Sequence, residues 1–171
     1  KILVEDSSQL LTTLERYLYP EMEETNARVI LLDSITITVR RDFIGKNDLP
    51  IRQGTLGKIA HALKKAAQAF NAVAVVANQI TKNPETQEVT YSGGNVLGHA
   101  VQVRVSMTRL DKPDAKPDDI DKKSNKIRFF VDKAVDLPRE SCVVTMDSRG
   151  FRDIKPESQD AQEKPEVKQG V

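Results

Sequence analysis

Two short runs of unbroken hydrophobic residues, each stopping at polar groups, organise the chain. Arg28 to Ser34 reads Arg-Val-Ile-Leu-Leu-Asp-Ser, and Ala72 to Gln79 reads Ala-Val-Ala-Val-Val-Ala-Asn-Gln. Runs of this length without polar alternation suit parallel strands buried on both faces. Around them the hydrophobic period lengthens. Leu10, Leu11, Leu14 and Leu18 recur at helical spacing behind Ser7 and Ser8, which are candidate caps, and Pro20 disturbs or ends that helix. Leu56, Ile59, Ala60, Leu63, Ala67 and Phe70 make one stripe of a long helix over Ile51 to Phe70. Ile35 to Leu49 mixes β-branched residues with Arg40-Arg41-Asp42 and Gly45, and predicts a short helix followed by an exposed loop. Lys1 to Val4 is apolar enough to be a further strand.

The second half changes character. Val101, Val103, Val105 and Met107 alternate with Gln102, Arg104, Ser106 and Thr108, the period of a half-buried strand. Lys126 to Val131 and Ser141 to Met146 predict two more strands, and Ser148-Arg149-Gly150 a tight turn. Thr81 to Ser92 is polar and precedes Gly93-Gly94, which predicts a mobile loop. Asp111 to Asn125 is charged, holds Pro113 and Pro117, and predicts a protruding hairpin loop. The segment 155–171 is polar without aromatic residues and predicts a disordered tail. Helices early and strands late imply an α/β fold. Its sheet is mainly parallel, flanked by helices, with a C-terminal antiparallel extension.

Totals narrow the function classes. The 171 residues suffice for one domain with a real core. Charged residues make up 30%, yet the net charge is only +1, so nucleic-acid binding would have to come from local patches. The single Cys142 excludes an internal disulfide framework and fits a reducing, intracellular compartment, cytoplasmic or nuclear. Its apolar neighbours predict a buried, inert thiol. The sequence predicts no membrane span and shows no signal-peptide pattern. It opens on Lys1-Ile-Leu-Val without an initiator Met, and the expectation is a piece of a longer protein.

In open parallel sheets, ligands bind beyond the carboxyl ends of the strands. Asp33, Ser34, Asn78 and Gln79 are therefore expected along one edge of one site. An Asp at the end of a buried strand is how nucleotide hydrolases hold Mg²⁺, with the metal also on phosphate. The plainer reading is that Asp33 caps the next segment. The phosphate-cradling pattern Gly-x-x-x-x-Gly-Lys-Ser/Thr does not occur. In Gly54-Thr-Leu-Gly57-Lys58 the first glycine is too close, Ile59 replaces the hydroxyl residue, and the stretch sits inside a helical stripe.

Five pieces now stand in a fixed order: Val29-Ile-Leu-Leu-Asp-Ser-Ile, Arg40-Arg-Asp-Phe-Ile-Gly, Arg52-Gln53, Ala77-Asn-Gln-Ile and Gly93-Gly-Asn-Val-Leu-Gly-His-Ala. Together they resemble the RecA/RadA recombinases, most closely the archaeal and eukaryotic branch, over residues 1–154. The resemblance implies a RecA-like ATPase core over that range. ATP and Mg²⁺ would be sandwiched between protomers of a helical filament on single-stranded DNA. That filament would pair with double-stranded DNA for strand exchange and DNA repair.

The resemblance also assigns roles. Asp33, with Ser34 beside it, would hold Mg²⁺ through water. Gln79 would be the catalytic sensor of the γ-phosphate. Ile80 to Gly93 would be the second DNA-binding loop, with Thr81, Lys82, Gly93 and Gly94 at its ends. Arg40 to Asp48 would be the first, with Arg40, Arg41 and Lys46 facing DNA. His99 would approach the phosphates of a neighbouring subunit. Asp132 to Pro138 would cap the adjacent protomer's ATP, with one extra residue here. The phosphate cradle and the water-activating acid would precede Lys1, so this chain alone is expected to hydrolyse ATP negligibly.

Plainer readings stand beside these. Gln79 is then a solvated strand end, His99 a packing histidine, and Arg40, Arg41 and Lys46 an ordinary solvated face. Tyr91 either stacks on a base or is an ordered surface residue. Two other classes remain: a non-catalytic recombinase paralogue binding DNA and partner recombinases, and another RecA-fold motor such as a hexameric helicase or clock-type kinase.

Overall fold

The two apolar runs pair with each other. β1 (Val29–Leu32) and β2 (Val73–Val76) are parallel, in register from Val29 with Val73 to Leu32 with Val76. This is a computed structural model that describes residues 1–82, 89–111 and 123–154. The chain forms two units, Lys1–Val101 and Gln102–Val171.

In the first unit, α1 (Ser7–Thr12) is capped by Asp6, whose Oδ1 accepts the Gln9 N–H at 2.7 Å. The cap thus falls one residue before the serines expected to supply it. The helix does not stop at Pro20. A π segment (Thr13–Tyr17) widens the backbone and leads into α2 (Leu18–Thr25), which holds Pro20 in its first turn. A proline there removes a donor and crowds the preceding turn, and the wider π geometry accommodates it. Asn26 ends α2 in the left-handed region at φ 52°. Lys1 to Val4 forms no strand.

α3 (Ile37–Asp42) is followed by a loop with a 3₁₀ turn (Lys46–Asp48), as the composition of that stretch predicted. α4 (Leu49–Ala69) starts with Pro50 in its first turn, where the missing N–H costs nothing. Its inner stripe, Leu56, Ile59, Leu63 and Ala66, is buried against Leu10, Leu14, Met22, Ile30, Ile35 and Val39. Tyr19 meets Phe70 edge-on with centroids 5.4 Å apart. Expected burial of the strands on both faces holds for one face only. Ile30 is 8% exposed, whereas Leu31 is 75% and Val73 is 61% exposed. The helices pack on the Ile30 side, and no described element of this unit covers the other.

After β2 come β3 (Ile80–Lys82), β4 (Val89–Tyr91) and α5 (Gly94–Ala100). The second unit is an antiparallel meander of β5 (Arg104–Asp111), β6 (Lys123–Lys133), β7 (Ser141–Asp147) and β8 (Gly150–Asp153). The hairpin runs further than its composition suggested, with Asp111 opposite Lys123. The rest of that charged stretch, 112–122, and the tail, 155–171, lie outside the described residues. Cys142 is exposed, against the expected buried thiol. It occupies the open first positions of β7, while coverage falls on the middle of that strand.

One contact ties α3 to α1. Asp42 Oδ2 accepts the Ser7 N–H at 2.7 Å, placing a carboxylate on a helix N-terminus. Hydrogen bonds from the Ser7 hydroxyl and N–H hold the Asp42 carboxyl below its ordinary range, with Arg41 adding to the effect against slight desolvation. A folded value below the unfolded one stabilises above the ordinary aspartate range, and the gain is lost as pH falls through the lowered value. Asp42→Ala is expected to lower the urea midpoint at pH 7, and the deficit should shrink below about pH 4. A pH-independent deficit would contradict the contact.

Candidate functional site

β1 and β2 end at one edge. Ala77 donates its N–H to the Leu32 carbonyl at 2.9 Å, and Ile35 donates to the Ala77 carbonyl at 3.1 Å. At the far end, Val73 donates to Arg28 at 2.9 Å. Asp33-Ser34 and Asn78-Gln79 therefore leave neighbouring strands on the same side.

Asn78 knots this edge together. Thr36, 1% exposed, donates its hydroxyl to Asn78 Oδ1 at 3.0 Å. The same oxygen accepts the Gln79 N–H at 2.8 Å, and Asn78 Nδ2 donates to the Ser92 carbonyl at 2.7 Å. Ser92 N–H returns a bond to the Gln79 carbonyl at 2.8 Å. One side chain thus joins the exits of β1 and β2 to the root of the β3–β4 pair. Arg40, from the last turn of α3, donates one Nη to Gln79 Oε1 at 3.2 Å and reaches Ser92 Oγ at 3.4 Å.

The Asp33 carboxylate is exposed, while the neighbouring Ser34 hydroxyl is buried without a partner among the described residues. Among those residues no group of three His, Cys, Asp or Glu side chains gathers. Mg²⁺ on a nucleotide needs no such cage: it takes one or two carboxylates, keeps waters and shares phosphate oxygens. An open aspartate beside an unsatisfied hydroxyl fits that donor set.

The remaining candidates divide. Arg41 is exposed, 3.9 Å from Asp42, and Lys46 opens the 3₁₀ turn. The expected mobile loop begins and ends as paired strands, with Thr81 opposite Thr90 and Lys82 opposite Val89. Its centre, 83–88, lies outside the described residues. Gly93 caps α5 at φ 95°, and a Cβ there would lie 2.4 Å from Leu97 Cδ1. Gly94 follows at φ 54°. Backbone geometry and Leu97 therefore call for glycine at 93, while 94 lies in the left-handed region that Asn26 also occupies. His99 is exposed in the last turn of α5. Tyr91 is partly covered by that helix, because a Cβ on Gly98 would come within 2.7 Å of its hydroxyl oxygen. Asp132 lies in β6 and Pro138 in the turn before β7, both in the second unit.

Thr36 and Ser92 belong to this edge, yet neither stood out in the sequence. Each is an ordinary hydroxyl residue, and its partner lies 42 or 14 positions away. Only the spacing of Thr36 behind Asp33, on the same strand exit, offered a signal.

Parallel strands that deliver an acid and an amide to one edge, backed by helices, place the first unit in the α/β class, and in open parallel sheets that edge is where ligands bind. The chain belongs to the Rad51 family, which matches residues 4–154. It is 31% identical over 142 residues to the DNA repair and recombination protein RadA of Aeropyrum pernix, covering 80% of this chain and 40% of that protein. It is 30% identical over 142 residues to RadA of Ignicoccus hospitalis, covering 80% and 39%. Against RadA of Haloferax volcanii it is 32% identical over 108 residues, covering 58% and 31%. The chain thus spans about two fifths of the length of the first two relatives. Among the described residues no helix is long and apolar enough to cross a membrane.

Asn78→Ala is expected to cost about 2 kcal/mol in urea unfolding, because it strands the buried Thr36 hydroxyl and frees the root of β3–β4. A loss within about 0.5 kcal/mol, the usual scatter of a surface substitution, would show that the knot does not hold the edge.

Proposed function

We propose that this chain provides the Mg²⁺- and γ-phosphate-facing edge of a recombinase ATPase core, which acts in homologous pairing and DNA repair and assembles into filaments on single-stranded DNA. One observation carries the proposal: Asp33 and Gln79 leave adjacent parallel strands at the same edge. Membership of the Rad51 family, with relatives named for DNA repair and recombination, supports the same reading.

Mg²⁺, when bound, neutralises charge on the phosphates. Asp33 presents a carboxylate to the ion's water shell, and the Ser34 hydroxyl offers a second oxygen beside it. The Gln79 side-chain N–H groups donate to a terminal phosphate oxygen. Loss of that oxygen removes the bond and alters the restraint on the strand pair that follows, an order–disorder type of switch.

Arg41 and Lys46, with Thr81 and Lys82, supply DNA contacts to the backbone, where binding depends on salt more than on base identity. The Gly93-Gly94 pair sets the turn that returns this DNA-facing segment to α5. His99, Asp132 and Pro138 act towards the nucleotide of a neighbouring subunit, and double-stranded DNA is the second substrate.

The 171-residue chain is expected to show no Mg²⁺-dependent ATP turnover above background. Turnover that disappears in Asp33→Asn would contradict this. Arg41→Ala combined with Lys46→Ala is expected to weaken single-strand binding and to reduce the log–log salt slope by about 1.4, at about 0.7 per lost phosphate contact. An unchanged slope would remove both residues from the DNA surface.

A further inference from the structure

We infer that Arg40 is a positioning residue for Gln79: it holds the amide by its oxygen, so that only N–H donors face the nucleotide edge. The inference rests on the reading of Gln79 as the phosphate-facing residue. A primary amide carries an acceptor at one end and two donors at the other, and their exchange by rotation is nearly isosteric. A phosphate oxygen only accepts. A freely rotating glutamine would present its oxygen to the phosphate part of the time, and that pose repels.

Arg40 removes this ambiguity. A guanidinium only donates, so its bond at 3.2 Å must engage Oε1 of Gln79. The backbone on either side of Gln79 is held as well. Its N–H is bonded to Asn78 Oδ1 at 2.8 Å, and its carbonyl to the Ser92 N–H at 2.8 Å. With main chain and oxygen both fixed, Nε2 is the only polar atom of Gln79 without a partner among the described residues. The longer reach of Arg40 to Ser92 Oγ, at 3.4 Å, places the same charge against the residue that closes β3–β4.

This differs from the role the sequence suggested for Arg40. A residue serving only as a DNA phosphate contact has no reason to affect the orientation of a glutamine 39 positions away. Arg41, the next residue, makes among the described residues the 3.9 Å pair with Asp42 and can serve DNA without disturbing the amide.

The full 171-residue chain is within reach of NMR, and the side-chain amide of Gln79 reports the bond directly. Its cross-peak is assigned by its loss in Gln79→Glu. In Arg40→Ala that cross-peak is expected to move to the position of a solvent-exposed glutamine. The backbone amides of Val29–Leu32 and Val73–Val76 should stay in place. Arg40→Lys, which keeps a cationic N–H donor, should return the cross-peak most of the way, a rescue that a purely structural role would not give. An unmoved cross-peak in Arg40→Ala overturns the inference. So does an unmoved cross-peak accompanied by a salt slope lowered by about 0.7, the signature of a phosphate contact alone. The signal is read without nucleotide or DNA, so its failure is separate from that of the proposed function, which ATP turnover and the Arg41–Lys46 salt slope address.

Discussion

Ala77 gives its N–H to the carbonyl of Leu32 at 2.9 Å and takes one from Ile35 at 3.1 Å, and this exchange closes the carboxyl end of the only parallel pair among the described residues. Each strand is four residues long, so a reversal of direction would carry Gln79 to the opposite end of the pair from Asp33. Parallel register is therefore the constraint behind the rest of the first unit. It is set by one packed layer. Ile30 points into the α4 stripe of Leu56, Ile59, Leu63 and Ala66, and a slip of one residue would exchange it for Leu31.

Polar chemistry then builds on that edge in a fixed order. Asn78 uses its oxygen twice and its nitrogen once, a nearly complete use of its hydrogen-bonding capacity. It is thereby a structural group, although it sits where a ligand-facing residue is expected. Under the proposed function, ligand-facing roles fall instead to its neighbours. Asp33 is open to solvent, the Ser34 hydroxyl lacks a partner among the described residues, and Gln79 offers its Nε2. The edge thus combines an acceptor for a hydrated cation with a donor for an anion, the pairing that a magnesium-bound phosphate requires.

Much of this was legible because burial leaves a local pattern. The apolar runs at Arg28 to Ser34 and Ala72 to Gln79 and the stripe from Leu56 to Phe70 each give the element type, and the polar strand ends point to the edge. What escaped sequence reasoning is non-local. The Arg40–Gln79 and Thr36–Asn78 bonds join residues 39 and 42 positions apart, and nothing in either segment marks its partner. Local rules also failed where geometry could bend. Pro20 reads as a residue that disturbs or ends its helix, and it disturbs without ending it: a π segment precedes it and the helix runs on to Thr25. Gly93 reads as loop flexibility, yet its φ of 95° and the closeness of Leu97 call for a glycine there. Cys142 has the neighbours of a buried thiol but an exposed position at the start of its strand.

Scalar couplings across hydrogen bonds test the central claim most directly, since they identify which carbonyl each amide meets at the strand ends. The account predicts a coupling from Ala77 N to the Leu32 carbonyl carbon and another from Ile35 N to that of Ala77. A coupling from Ala77 N to the Arg28 carbonyl carbon would mean antiparallel strands, with Asp33 and Gln79 at opposite ends, and would contradict the account.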